Sequence, residues 1–269
     1  MLTRVLVEAH NPSPMTGRGN NTFLVTGGTG EAVLVDAGTG APDHLSALAT
    51  HLQTRRLRLG LVLVTHAHDD HASGAPALAA AHPGAAFAKY AWPEEDGRYG
   101  VPWQPLADGD VIPVGDDALV ALHTPGHAPD HMMLWHEASG VAFTGDLVVA
   151  GSSVMIHASR GGDMRAYLAS LERVLALSPR LLLPAHGPAV DEPAPLLKSY
   201  IAHRLMRERQ VVEALQRGRD TVEAIVDSIY DGVDAALLPA AGENVRAHLT
   251  KLLADSQAIC EDGRWRLRG

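Results

Sequence analysis

Residues 65–71 read Thr-His-Ala-His-Asp-Asp-His. Three imidazoles and a carboxylate in so short a span make a metal-binding donor set, because imidazole nitrogen and carboxylate oxygen are ordinary zinc ligands. His66 and His68 stand two apart, so an extended backbone points both to one side. Asp70 and His71 then turn toward a second ion. Three later segments carry further donors. His127 follows a Pro-Gly turn in His123-Thr-Pro-Gly-His-Ala-Pro-Asp-His131, Asp146 ends Phe-Thr-Gly-Asp, and His186 sits in Leu-Pro-Ala-His-Gly. Each alone has a bland reading: a turn histidine, a strand-end aspartate capping a turn, a structural histidine. Together they complete two sites. His66, His68 and His127 take one ion, Asp70, His71 and His186 the other, and Asp146 lies between them.

A ligand set made only of nitrogen and oxygen suits two zinc ions, and iron or manganese would also fit. Two such ions share a water and lower its pKa toward neutrality. The expected reaction is attack by the metal-bridging hydroxide on an ester-type bond, at a carbonyl carbon or at phosphorus. Asp70 serves as ligand and as proton shuttle. His131 is expected beside the ligands rather than among them.

Each donor segment follows a short apolar run. Thr-Phe-Leu-Val-Thr and Glu-Ala-Val-Leu-Val flank a Gly-Gly-Thr-Gly turn as a hairpin. Residues 42–57 have Leu45, Leu48 and Leu52 at helix spacing, and Leu-Gly-Leu-Val-Leu-Val then reads as a buried strand feeding the histidine motif, itself read as a loop. An alanine-rich helix starts near Pro76. Further strands are expected in Phe-Ala-Lys-Tyr-Ala-Trp, Asp-Val-Ile-Pro-Val, Ala-Leu-Val-Ala-Leu-His-Thr, Met-Met-Leu-Trp-His-Glu, Gly-Val-Ala-Phe-Thr-Gly-Asp and residues 180–183, with an amphipathic helix over 163–177. Two groups of strands with helices nearby suggest an αββα layering, an α/β (α+β) chain with its chemistry on loops at strand ends.

From about Pro195 the texture changes. A long amphipathic helix ends at a glycine, Thr221 caps a second, residues 242–254 form a third, and a hairpin turns on Asp262-Gly263. This is a winged-helix pattern. The domains are therefore expected at 1–192 and 193–269.

The 269 residues are 46% hydrophobic, which supports a large core, and the formal charge is −9. After residue 190, eleven Lys/Arg stand against thirteen Asp/Glu, so the tail lacks the basic excess of a strong nucleic-acid binder. With one cysteine, no internal disulfide can form. The N-terminal apolar stretch is too short for a signal peptide or membrane span, so the cytoplasm is the expected location. Cys260, in an apolar strand, reads as a small buried hydrophobe.

The ligand series His-x-His-x-Asp-His, His, Asp, His resembles that of the metallo-β-lactamase superfamily. The chain looks most like its β-lactamase-like protein 2 branch, on Asn11-Pro-Ser-Pro-Met-Thr-Gly with Asn21-Thr22, Asp108-Gly-Asp-Val-Ile, Thr124-Pro-Gly-His-Ala-Pro-Asp-His-Met, and Tyr200-Ile-Ala-His-Arg with Arg207-Glu-Arg-Gln. The resemblance covers nearly the whole chain. It implies a dinuclear zinc hydrolase on an αββα sandwich with a winged-helix-like C-terminal domain, acting on single-stranded RNA or on acyl thioesters. The Ala-Pro after His127 and the Ala before His186 depart from the branch without removing a ligand.

Three alternatives stand beside this. One is glyoxalase II-like thioester hydrolysis, and another is incidental β-lactam hydrolysis. A third is a winged-helix nucleic-acid-binding protein. In an RNA reading, Arg246, His248, Lys251, Arg264, Arg266 and Arg268 would touch phosphate and Trp265 would stack on a base; the bland reading makes them a solvated face and a packed ring. The tail could instead serve a homodimer or form one wall of the substrate pocket, and the wall is the expected role because the long helix beginning near Lys198 follows His186 by only a dozen residues. Tyr167 reads as core.

Overall fold

The computed structural model describes residues 1–13, 17–28 and 30–268. Pro14, Met15 and Thr16 of the Asn11–Gly17 motif and Thr29 of the Gly-Gly-Thr-Gly turn lie outside the described residues. The chain divides into two compact units that cut across sequence order. The first comprises Met1–Thr124, Asp130–Ser152 and Ser178–Pro193; the second comprises Pro125–Pro129, Ser153–Leu177 and Ala194–Gly269.

The first unit holds two sheets. One contains, in spatial order, β1 (Thr3–Glu8), β2 (Asn21–Thr26), β3 (Glu31–Val35), β4 (Arg58–Leu63), β5 (Ala86–Tyr90) and β6 (Trp103–Leu106). The pairs β1–β2 and β2–β3 are antiparallel, and from β3 to β6 the strands run parallel. The other sheet runs β11 (Leu181–Pro184), β10 (Val141–Gly145), β9 (Met132–His136), β8 (Asp117–His123) and β7 (Val111–Val114). Alternate residues of both sheets, including Val25, Val33, Leu63, Leu119, Met132 and Phe143, form the core between them. The outer face of the first sheet, with Leu24, Leu34, Val62 and Phe87, is covered by α1 (Pro42–Arg55) and α3 (Ala75–Ala81) through Leu48, Leu52, Ala75 and Leu78. Burial on both faces explains why the parallel strands read as unbroken apolar runs. Tyr99 and Trp103 pack into the same layer, beside α4 (Pro93–Asp96).

The second unit has its own core. It is built from α5 (Met164–Ala176), α6 (Pro193–Gln216), α7 (Val222–Ile229), α8 (Leu238–Ala254) and the hairpin β12 (Ala258–Glu261)–β13 (Arg264–Leu267). Val211, Ile225, Val245, Leu249 and Leu252 lie at its centre. Asp163 caps α5 by accepting from the backbone N–H of Arg165 and Ala166, and Thr221 caps α7 by accepting from Ala224. Cys260 is exposed. Among the described residues its strand pairs only with β13, so the expected burial does not occur. None of the described helices is long and apolar enough to cross a membrane.

Candidate metal centre

β4 delivers the chain to Thr65, His66, Ala67 and His68. The segment expected as a loop then closes into a one-turn helix, α2 (Asp69–Ala72), where Asp69 and Asp70 occupy the first turn. Carboxylates there complement the exposed N–H groups of a helix start, which favours helix over loop.

Four candidate donor atoms from three strand ends lie close together. His71 Nε2 lies 3.5 Å from Asp70 Oδ2 and 3.5 Å from Asp146 Oδ1. His186 Nε2 lies 3.4 Å from Asp70 Oδ2 and 3.2 Å from Asp146 Oδ1. Ligands about 2.0–2.1 Å from a tetrahedral ion are about 3.3 Å from one another. Asp70, His71 and His186 each bring one donor atom within 4.8 Å of the other two, a spacing open to an ion, and imidazole nitrogen with carboxylate oxygen suits a borderline divalent cation. His66 joins His71 and Asp146 in a second possible ligand group, and its Nε2 lies 2.9 Å from His68 Nδ1. His127 belongs to the second unit, where its Nδ1 lies 2.9 Å from the Met155 carbonyl.

With protons in place of a metal, the cage is an ion-pair cluster. Burial alone would raise the two carboxylates. The nearby His71 charge and the hydrogen bonds from His186 instead hold Asp70 and Asp146 far below the usual carboxylate range. Burial likewise opposes charge on His71, yet Asp70, Asp36 and Asp146 hold it well above the usual imidazole value. His186 rises to about 9 despite its burial, through hydrogen bonds to Asp146 and Asp70. A cation entering here displaces those protons, so its affinity falls as pH falls.

Residues that motif spacing did not reveal set the orientation of the ligands. Asp36, which ends β3 at a φ of +65°, is buried beneath the histidine motif. Its Oδ1 accepts from the Thr65 N–H at 2.8 Å, and its Oδ2 accepts from Thr65 Oγ1 at 3.2 Å and from His71 Nδ1 at 3.0 Å. Because Thr65 Oγ1 spends its proton on Asp36, it accepts from His66 Nδ1, 3.1 Å away. One carboxylate thereby fixes the tautomers of His66 and His71 and turns both Nε2 lone pairs toward the site. We expect Asp36→Asn to lower metal affinity about 10–100-fold, read by chelator competition; unchanged affinity would contradict this role.

Two asparagines act from the start of β2 and the residue before it. Asn20 is buried, exchanges hydrogen bonds with Asn11, and donates from Nδ2 to Asp70 Oδ2 at 3.1 Å. Asn21 donates its amide hydrogens to the Pro184 and Gly187 carbonyls at 2.9 and 2.8 Å, and its backbone N–H to Ala185 at 2.7 Å, which clamps the turn that carries His186. Asn21 belongs to the resemblance motif, but its amide geometry is not readable from it.

His131 sits beside the ligands. Its Nδ1 donates to the Thr124 carbonyl at 3.1 Å, so its Nε2 accepts from the Asp146 backbone N–H at 3.0 Å. A Cβ on Gly145, at a φ of +48°, would come within 2.7 Å of that Nε2, which is why the strand turns into Asp146 on a glycine. The neighbouring Asp130 is fully buried and pairs at 3.0 Å with the equally buried Lys89 of β5. Tyr99 holds the motif from outside, donating to the Ala67 carbonyl at 2.5 Å.

Most of the tail residues considered for phosphate contact are engaged. Lys251 pairs with Glu208 and Asp255 at 2.8 and 2.9 Å, Arg264 with Asp220, and Arg266 with Glu261 at 3.2 Å. Arg246 lies 3.7 Å from Glu243, and His248 is buried 3.5 Å from Glu208. Trp265 packs against the second core.

Residues 15–186 match the family model of the metallo-beta-lactamase superfamily, and residues 221–265 match the beta-lactamase associated winged helix domain. The chain is 33% identical to the lactamase-like protein aptB of Emericella nidulans, over 98% of this chain and 87% of that one. It is 30% identical to the beta-lactamase-like protein 2 homolog of Drosophila melanogaster (90% and 85% covered), and 34% identical to the atrochrysone carboxyl ACP thioesterase of Aspergillus chevalieri (85% and 73%). Among solved structures, a beta-lactamase domain protein from Burkholderia ambifaria has the same fold, with a TM-score of 0.82, 22% identity, and 99% and 91% of the chains covered. The protein TTHA1623 in a di-iron-bound form superposes with a TM-score of 0.56 at 29% identity, over 73% of this chain and 98% of that one. The chain thus belongs to the metallo-β-lactamase superfamily, in the branch of the β-lactamase-like protein 2 homologues, and is a metal-dependent hydrolase with a mixed α/β sandwich and a C-terminal winged-helix domain.

Proposed function

We propose that the protein hydrolyses an acyl thioester at a dinuclear metal centre. The thioesterase named among its relatives carries the choice of substrate. The pairing of the tail's cations counts in the same direction, since a strand of RNA would have to compete with Glu208, Asp220, Asp255 and Glu261 for them. Asp70, His71 and His186 would hold one ion, His66, His68 and His127 the other, with Asp146 between them. His127 is assigned by its place in the ligand series. Zinc is the proposed metal, with iron as in the di-iron neighbour, or manganese, the alternatives. Bound there, the metals supply Lewis acidity toward the carbonyl oxygen and an activated water.

The chain's own residues do the rest. Asp70 accepts the proton of the attacking water and passes it to the departing thiolate. Asn20 holds Asp70 in place by its 3.1 Å hydrogen bond. Asp36 and Thr65 keep the protons of His66 and His71 on the side away from the site.

The test offers metal-loaded protein an acyl-pantetheine thioester, read by released thiol, and separately a fluorogenic single-stranded RNA, with Asp70→Ala as the blank. We expect thiol release that disappears in the blank. Cleavage of RNA without thiol release would overturn the substrate assignment and restore the phosphodiester alternative.

A further inference from the structure

Arg204, on α6, is the largest side chain buried to below 2%. Among the described residues no carboxylate pairs with it, and its Nε has no partner. Burying a guanidinium without a counter-charge is costly, and an apolar residue would fill the same space more cheaply. Its remaining contacts show where the charge is directed. One terminal nitrogen, Nη2, donates to the Val154 carbonyl; the other, Nη1, donates to Asn244 Oδ1 at 3.3 Å; and the guanidinium lies 5.3 Å from the centre of the Tyr167 ring.

Asn244, on α8, receives a second hydrogen bond on the same Oδ1, from the Ile156 N–H at 3.3 Å, and is itself anchored by its Nδ2 to the Ala240 carbonyl at 3.0 Å. Residues 154 and 156 are thus fixed from α6 and α8. Between them is Met155, whose carbonyl accepts from His127 Nδ1 at 2.9 Å. A carbonyl can only accept, so Nδ1 carries the proton and the lone pair is on Nε2. The segment bearing His127 is also fixed against α5: the Gly126 carbonyl accepts from the Asp163 N–H at 2.9 Å, and Gly126 packs directly on the Tyr167 backbone.

We propose that Arg204 is a positioning residue for His127. Through Asn244 and the 154–156 segment, the helices of the C-terminal part fix the tautomer and aim of one metal ligand. This gives the Tyr200–Arg204 motif a role in the metal centre. It rests on the reading of His127 as a ligand, and the test separates the two.

The first measurement is of metal-free protein with labelled histidine, whose ring nitrogens report the tautomer by NMR. Wild type should show His127 as Nδ1–H. Arg204→Met and Asn244→Leu, each checked for cooperative unfolding, should show a tautomer mixture, while Asn244→Asp, which loses the bond to Ala240 but keeps the acceptor that faces Arg204 and the Ile156 N–H, should retain the wild-type signal. The second measurement is metal content and chelator competition. Both disruptive variants should weaken one of two bound ions about 10–100-fold and leave the other unchanged. A folded Asn244→Leu with an unaltered His127 tautomer and wild-type affinity for both ions would overturn the proposal. Should His127→Ala bind both ions as wild type does, the ligand reading fails, while the tautomer result still judges the positioning role by itself.

Discussion

Asp70→Asn should lose about 10²–10⁴ in turnover while keeping its fold. The substitution preserves shape, and an amide oxygen can still accept from Asn20 Nδ2, 3.1 Å away in the wild type. It removes the negative charge that faces His71 and His186 at 3.5 and 3.4 Å. It also removes the group proposed to take the proton of the attacking water, a contribution of about 10²–10⁴ in rate. Metal affinity falls as well, because a neutral oxygen replaces a carboxylate inside the cage. The rate must therefore be measured at metal concentrations that restore occupancy, with metal content determined on the same sample. A variant with full occupancy and near-wild-type turnover would remove Asp70 from the reaction.

Gly126→Ala should cost on the order of 3–5 kcal/mol of stability, the range of the severe overpacking and backbone-strain mutants. Gly126 has a φ of +130°, and an added Cβ would lie 2.3 Å from both the nitrogen and the Cα of Tyr167. Those are backbone atoms near the start of α5, not the far end of a side chain that can swing aside. The helix is fixed there by the Asp163 cap. The His127 segment must yield instead, and it would lose the 2.9 Å hydrogen bond between the Gly126 carbonyl and Asp163. Denaturant unfolding of the metal-free variant measures the loss directly. A cost below about 1 kcal/mol would show that the contact relaxes without strain.

The seven residues proposed as metal ligands stand out in the sequence because their types are rare and their positions fall at the ends of apolar runs. His186 follows Leu181–Pro184 after one residue, and Asp146 follows Val141–Gly145 directly. Both strands are buried, so their runs are continuous. Helix starts were legible where a capping side chain announces them, as at Thr221 and Asp163.

The groups that orient the ligands were not, for a physical reason. Asp36 is 29 residues from Thr65 and 35 from His71 in the chain, and only the pairing of β3 with β4 brings them together. Asn21 reaches the Pro184 carbonyl across 163 residues. Such contacts leave no period and no spacing. Arg204 misleads in the opposite sense, because an arginine on an amphipathic helix reads as surface, yet this one is 2% exposed. Cys260 reads as core, yet it lies on a two-stranded ribbon with an open face. The tail's arginines and lysine look available to phosphate until Glu208, Asp220, Asp255 and Glu261 are placed beside them.

The proposed centre is a pair of metal ions held by His66, His68, Asp70, His71, His127, Asp146 and His186. Crystals of the zinc-loaded protein, with anomalous diffraction collected on both sides of the zinc edge, test it most directly. Two peaks per chain are predicted, about 3.5–4 Å apart. One should be bounded by Asp70, His71, His186 and Asp146, the other by His66, His68, His127 and Asp146. A single peak at full zinc loading, or a second peak with no contact to His66 and His68, would contradict the account.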